Sequence, residues 1–432
     1  MPLAARRTAP PVQPADAIHP SIQLSCDPHP MKRVHWYLIG SGSWFVAHGI
    51  QSVLFAWLVT MVLRESPEKV GVAQMTMMLP SLFLMLLGGS LADRIGARRM
   101  ALVAQTAAAV PPLALALLVA IDALSFPLLL CYALAFGVVQ AFVTPARDGM
   151  LTHVAEGRIQ HTVLLVSMVQ FAVQLFGFGL GAIADSLGAA LVLLVQAGVI
   201  LAGLYGYYRL DDPVRPPVQP GPLLAALRSS IAEGARVVLA VPAMRAVMVV
   251  NFATGMCFMG SYLVAMPLLV REVFDGSSMD LAAMNTANIL GLLTTVIALL
   301  RYGDVRRRGR ALILAHGVGV VALAALALPM QFTTALVLVY FWGASGGVAM
   351  SMARTIMQEL ATDQVRGRVM AFFSVSFMGA GPVGALLSGT LVHAVGVHNT
   401  LLIVSVVMAV VLAWAGVATA LWRFDPHRER AL

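Results

Sequence analysis

Residues 88–100 read Gly88-Gly89-Ser90-Leu91-Ala92-Asp93-Arg94-Ile95-Gly96-Ala97-Arg98-Arg99-Met100. This polar stretch lies between two runs, 70–92 and 100–121, that are free of charge until its own residues begin. About 20 apolar residues cross ~30 Å of hydrocarbon as a helix. Each run therefore reads as a membrane span, with the arginines between them held in a loop on one side. Working outward, the other spans are 36–63, 126–146, 160–184, 190–208, 245–272, 281–301, 311–329, 333–353, 367–394 and 400–422. All are continuously apolar rather than alternating. Backbone amides have no partner in lipid, so such spans are helices and not barrel strands. The predicted fold is an all-α membrane protein with twelve transmembrane helices.

The composition agrees. Of 432 residues, 59 % are hydrophobic and 11 % charged, against about 25 % charged in a soluble domain. A cytosolic enzyme is thereby argued against. The net charge of +8 comes from 28 basic residues spread in short clusters, all arginine except Lys32 and Lys69. Neither lysine follows a glycine-rich loop, so no phosphate-binding loop is present. The spread of the charges points to a bilayer and not to nucleic acid. Cys26, Cys131 and Cys257 form no CxxC pair, and no metal site or other cofactor is expected.

Lysine and arginine mark cytoplasmic loops. With twelve spans, only Arg64, Lys69 and Arg271 fall on one side and the other 25 of the 28 basic residues on the opposite side. Both termini are thus expected in the cytoplasm. Residues 1–35 hold seven prolines and no apolar core, which reads as a disordered cytoplasmic tail. A first six-helix bundle is expected over 36–208 and a second over 245–424, with a short cytoplasmic tail at 425–432. The linker 209–244 carries five prolines between 213 and 222 and then an amphipathic pattern over 223–240.

The halves repeat. Ala146-Arg147 matches Ala353-Arg354, Gly181 and Gly188 match Gly389 and Gly396, and Asp93 with its arginines matches Asp304 with its own. Parallel repeats of this kind are related by an axis along the membrane normal, and the two bundles are expected to show pseudo-twofold symmetry.

Gly89, Asp93, Arg94, Gly96, Arg98 and Arg99 resemble the G-x-x-x-D-R-x-G-R-R signature of the major facilitator superfamily, with Ala97 where a basic residue is frequent. The resemblance extends over the whole twelve-span chain. Arg366-Gly-Arg-Val-Met370 and Gly381-Pro382-Val-Gly384 are similar to the branch that holds enterobactin-type siderophore exporters and macrolide efflux proteins. Asp93 ends a helix, where the macrodipole disfavours an anion by ~0.3–1 kcal/mol. The resemblance implies a partner for it at the start of the eleventh span, near Thr362 to Gln364, when the cytoplasmic ends are closed. Asp304 is expected to make the mirror contact near Gln160. Together these residues form the expected gating motif. The family's exporters often carry a Gly-Pro pair in the fifth span, but Phe178-Gly179-Leu180 has none there.

Polar groups inside spans are expensive and tend to face a cavity. His48, Gln51 and Phe55 share one face of the first span with Trp44 and Ser52. Gln140 lies in the fourth span, Gln170 and Gln174 in the fifth, Asn251, Phe258 and Tyr262 in the seventh, and Asn285 and Asn288 in the eighth. Amides mixed with aromatics suit an amphipathic organic molecule. None of the 20 acidic residues falls near the middle of a span. That leaves His48 as the candidate proton carrier in the first half, with His316 and His393 in the second.

The resulting expectation is a monomeric secondary transporter of the inner membrane. It would move a small drug- or siderophore-like molecule, most simply by export through alternating access, with the lipid bilayer and protons as its other partners. Uptake of a metabolite is the alternative. A membrane-embedded enzyme would need clustered His, Asp or Glu at one face, and a sensor would need a folded output domain. Neither feature is visible in the sequence.

Overall fold

The computed structural model describes residues 30–154, 159–211, 223–303, 305–362 and 364–423. Among these residues every regular element is helical. Helix α1 runs Pro30–Trp57 and continues as a π turn, Leu58–Val62; α2 is Pro67–Ile95. Helix α3 is Ala97–Ala108 followed by Val110–Ala120, and α4, α5 and α6 are Phe126–Val154, Ile159–Ala182 and Ala189–Tyr208. A linker helix, Leu223–Ala240, follows. Helix α7 opens as Pro242–Ala253, passes through two π segments, Thr254–Met259 and Ser261–Ala265, and ends as Met266–Glu272. The rest are α8 (Ser278–Tyr302), α9 (Arg308–Ala325), α10 (Phe332–Leu360), α11 (Arg366–Val395) and α12 (Val397–Val417).

Among the described residues, eleven of these twelve register as long and apolar enough to cross a membrane. The other, α2, is 29 residues long, and its stretch 70–87 carries no charged residue. It packs against α4 on one side and α11 on the other, so protein rather than lipid covers much of it.

Several helices outrun their expected spans. Helix α1 begins at Pro30, inside the stretch expected to be disordered. Helix α4 reaches Val154 instead of 146, and α10 reaches Leu360 instead of 353. Hydropathy marks only the part of a helix that meets lipid. A helix already nucleated gains one hydrogen bond for each residue it adds, so it continues past that limit. The expected disorder over 1–29 and the proline-rich part of the linker, 212–222, lie outside the described residues, as does the tail from 424 onward.

The repeat is visible in the turns. Among the described residues, the four glycines with positive φ are Gly96 (97°), Gly188 (83°), Gly303 (78°) and Gly396 (81°). They form two pairs, offset by 207 (96 to 303) and 208 (188 to 396). Each pair ends matching helices, because a side chain is strained in that conformation. Close packing repeats as well. Gly177 of α5 faces Gly49 of α1, and Gly384 of α11 faces Met256 of α7 at a position 207 further on in both helices. The match of Asp93 with Asp304 is out of step with this register: 207 residues beyond Asp93 stands Leu300. Asp304 is therefore not the repeat counterpart of Asp93, and it lies outside the described residues.

Two predictions separate packed from open glycines. A Cβ on Gly384 would run into the Met256 carbonyl oxygen, whereas one on Gly317 would meet nothing within 4 Å. Gly384→Leu should cost about 1–3 kcal/mol of stability, seen as a lower thermal midpoint of the purified protein. Gly317→Leu should leave that midpoint unchanged.

Candidate functional site

Where α1, α2, α4, α7 and α8 converge, a cavity of ≈180 Å³ opens between the two halves. Helix α1 supplies His48, Gln51, Ser52 and Phe55; α2 supplies Gln74, Met77 and Met78; α4 supplies Gln140. The second half contributes Met259, Tyr262, Leu263 and Met266 from α7 and Asn285 from α8. The α7 residues lie in or beside its π segments. Such segments widen the turn and re-aim side chains, and they concentrate at functional sites.

The polar groups are held in place. Gln51 is 2 % exposed, and its Oε1 accepts from the Tyr132 hydroxyl and from Gln196 Nε2 at 3.0 Å. Its own Nε2 meets only the Met77 thioether, at 3.8 Å. A thioether is a weak acceptor, so this amide has donor capacity to offer a bound molecule. The Tyr262 hydroxyl donates to Asn285 Oδ1 at 2.5 Å, and Asn285 Nδ2 donates to the Leu281 carbonyl at 2.8 Å. His48 Nδ1 is buried without a hydrogen-bond partner among the described residues. Among the described residues, no carboxylate, arginine or lysine borders the cavity.

The structure brings together His48, Gln51, Phe55, Gln140 and Tyr262 from the expected set, along with Ser52 and Asn285. Asn251 is elsewhere. Its Nδ2 donates to the Phe373 carbonyl at 3.1 Å and to Ser376 Oγ at 2.9 Å, tying α7 to α11. Phe258 packs on the rings of His316 and Trp342. Gln170 and Gln174 are half-buried on α5 and do not border the cavity. For Asn251 and Phe258 neighbouring helices, not the cavity, take up the side chain. Gln74 and the methionines were missed by the sequence reading. Gln74, Met77 and Met78 share one face at i, i+3 and i+4 spacing, a signal that was available.

Of the other histidines, His316 is buried between the Leu312 carbonyl (3.1 Å) and Thr254 Oγ1 (2.7 Å), away from the cavity. His393 is not deep: it is exposed and stands 3.8 Å from Glu68.

That last pair belongs to a set of contacts joining the halves on the arginine-poor face. Asp185, in the turn after α5, accepts from Trp57 Nε1 at 2.8 Å and from the Ser278 amide at 2.6 Å. Ser278 is the first residue of α8, and its hydroxyl donates to the Ala182 carbonyl at 2.7 Å. A carboxylate here meets the positive end of a helix dipole in the opposite half. Arg271 NH1 donates to the Glu65 carbonyl at 2.7 Å, joining α7 to the turn after α1. Glycines complete the closure, since a Cβ on Gly71 would lie 2.7 Å from the Ala385 carbonyl.

On the arginine-rich face, Arg98 spans α3 and α6. Its Nε donates to the Tyr207 carbonyl at 3.1 Å and its NH2 to the Tyr208 carbonyl at 2.7 Å. These carbonyls lie at a helix end, where intrahelical donors run out, so Arg98 works within one half. Gly96 makes the turn between α2 and α3, and a Cβ on Gly89 would touch Pro145 at 3.9 Å. Arg94 and Arg99 are exposed. The Asp93 and Gln160 side chains, with Asp304, lie outside what the structure describes, so the expected aspartate contacts on this face do too.

The profile of the Major Facilitator Superfamily matches residues 38–381. The multidrug efflux pump Tap of Mycolicibacterium fortuitum is 28 % identical over 380 residues, covering 84 % of this chain and 89 % of that protein. Its namesake in Mycobacterium tuberculosis is 26 % identical over 370 residues, covering 82 % and 85 %. Among solved structures, the nucleoside transporter NupG superposes with a TM-score of 0.66 at 14 % identity, over 92 % of this chain and 99 % of that one. An auto-inhibited POT family peptide transporter gives 0.69 at 15 % identity, over 89 % and 96 %. At such identities the solved structures speak for the fold alone.

Replacing Asp185 by Asn removes the charge but keeps the shape. Hydrogen bonds to charged groups contribute about 1.5–3 kcal/mol, so Asp185→Asn should loosen the α5–α8 contact about tenfold or more. Spin labels at the exposed positions 187 and 279 should report a longer or broader distance in the variant than in the parent. An unchanged distribution would show that the carboxylate does not hold this face.

Proposed function

The chain belongs to the Major Facilitator Superfamily, and from that premise we propose that it exports small amphipathic molecules of the drug type by alternating access. It is a multi-pass membrane transporter, and its relatives are transporters rather than enzymes. The observation that carries the finer reading is the lining of the central cavity. Amides, thioethers and aromatic rings from both halves meet there without a formal charge. Methionine adapts its shape to varied apolar partners, and the Gln51 amide adds one directional donor. A polyanionic siderophore would find no counter-charge, and an uncompensated charge away from water is costly. The drug-type substrate is therefore favoured over the siderophore type. The Tap efflux pumps point the same way for direction.

At ≈180 Å³ the cavity is smaller than the 300 Å³ or more typical of drug-sized sites. Loading thus requires the two halves to part. In this reading they move as units over 36–208 and 245–424, joined by the linker 209–244. The contacts of Asp185 and Arg271 break when the arginine-poor face opens. The positive-inside rule places the arginine-rich face in the cytoplasm of a cell bounded by the inner membrane, and a monomer suffices because the cavity is built from one chain. Proton coupling is assigned to His48, the cavity's imidazole.

Reconstituted in liposomes, the protein should move lipophilic dyes and drugs in the export direction, in exchange for protons that run the opposite way down an imposed gradient. Gln74→Leu should weaken apparent dye affinity up to about tenfold, the value of one hydrogen bond. His48→Gln should keep dye exchange without a gradient but lose acceleration by it. Folded protein that moves no such compound, or moves it only inward, would overturn the export reading. Full gradient dependence in His48→Gln would overturn the assignment of the proton.

A further inference from the structure

A second, wider hollow lies apart from this cavity. It is a groove of ≈970 Å³ between α9 and α12, walled by Leu314, Val318, Phe341 and Val417 and shared with no residue of the central cavity. Two glycines create it. A Cβ on Gly317 would meet nothing within 4 Å, and one on Gly416 would meet only Ile313, at 3.8 Å. Its wall faces outward: Val321 is 68 % exposed and Val417 90 %. In a chain that spans a bilayer, that surface meets hydrocarbon.

One end of the groove is polar. Trp422 lines it there, within the turn Ala420–Arg423. Arg310 Nε donates to the Trp422 carbonyl at 3.2 Å, and its guanidinium stands 5.3 Å from the indole centroid. Arg306 and Arg307, just before α9, are exposed on the same side. From Arg310 to Val321 the helix rises about 16 Å, close to half of a ~30 Å hydrocarbon layer.

We propose that this groove binds one anionic phospholipid of the arginine-rich leaflet, its acyl chain on Gly317 and its phosphate against Arg306, Arg307 and Arg310. The depth matches one leaflet, and arginine forks suit phosphate oxygens. Basic sites between helices at a membrane face recognise such headgroups. Tryptophan at the mouth suits the boundary between headgroups and hydrocarbon. A helix from another protein would match the apolar wall but would leave the arginines without an acidic partner.

The test uses delipidated full-length protein and native mass spectrometry with dioleoyl phosphatidylglycerol and dioleoyl phosphatidylcholine. One phosphatidylglycerol should be retained in preference to phosphatidylcholine. Arg306→Gln and Arg307→Gln should each lower that preference about fivefold, from the value of one basic residue at a membrane surface. Gly317→Phe should fill the groove and abolish retention while the thermal midpoint stays within a few degrees of the parent. Equal retention of the two lipids by the parent, or phosphatidylglycerol held unchanged by Gly317→Phe, would overturn the proposal.

Discussion

A backbone amide in hydrocarbon has no water to bond, and that constraint shapes every level of this protein. It forces each crossing segment into a helix, so secondary structure carries no specificity. It also removes the hydrophobic drive between helices, because lipid is as apolar as leucine. What remains is close approach, and here glycine supplies it. Gly49 on Gly177, Gly384 on Met256 and Gly71 on Gly389 each bring backbone against backbone. The same logic turns a few buried polar contacts, such as Gln51 with Tyr132 and Gln196, into fixed points within a half.

Seen in these terms, the two faces of the molecule are joined by different means. On the arginine-poor face a carboxylate, Asp185, sits on the first amide of α8 in the opposite half. This is the type of interaction that the sequence led us to expect on the other face, from Asp93. Both depend on one fact of helix electrostatics, the positive partial charge at a helix start. On the arginine-rich face the linker helix adds a tie, with Glu233 paired to Arg368 at the beginning of α11.

The cavity between the halves owes its character to residues that are individually unremarkable. Gln74, Met77 and Met78 lie on a helix that also packs against α11, and the π segments of α7 turn Met259 and Tyr262 toward them. The groove on α9 and α12 shows the opposite case: two glycines, one with nothing near it and one touching only Ile313, leave a hollow at the lipid boundary.

Hydropathy and arginine placement alone determined the helical class, the number of long helices and the two-part plan, because these follow from transferring residues into lipid. The glycine offset of 207 was readable too. Which polar side chains share a cavity was not, as Asn251, Gln170 and Gln174 demonstrate. A polar residue in a span can satisfy its hydrogen bonds against a neighbouring helix or leave them for a ligand, and its sequence position is the same either way. Tertiary packing alone decided that choice: Asn251 met a carbonyl of α11, while the Gln51 amide was left facing a thioether.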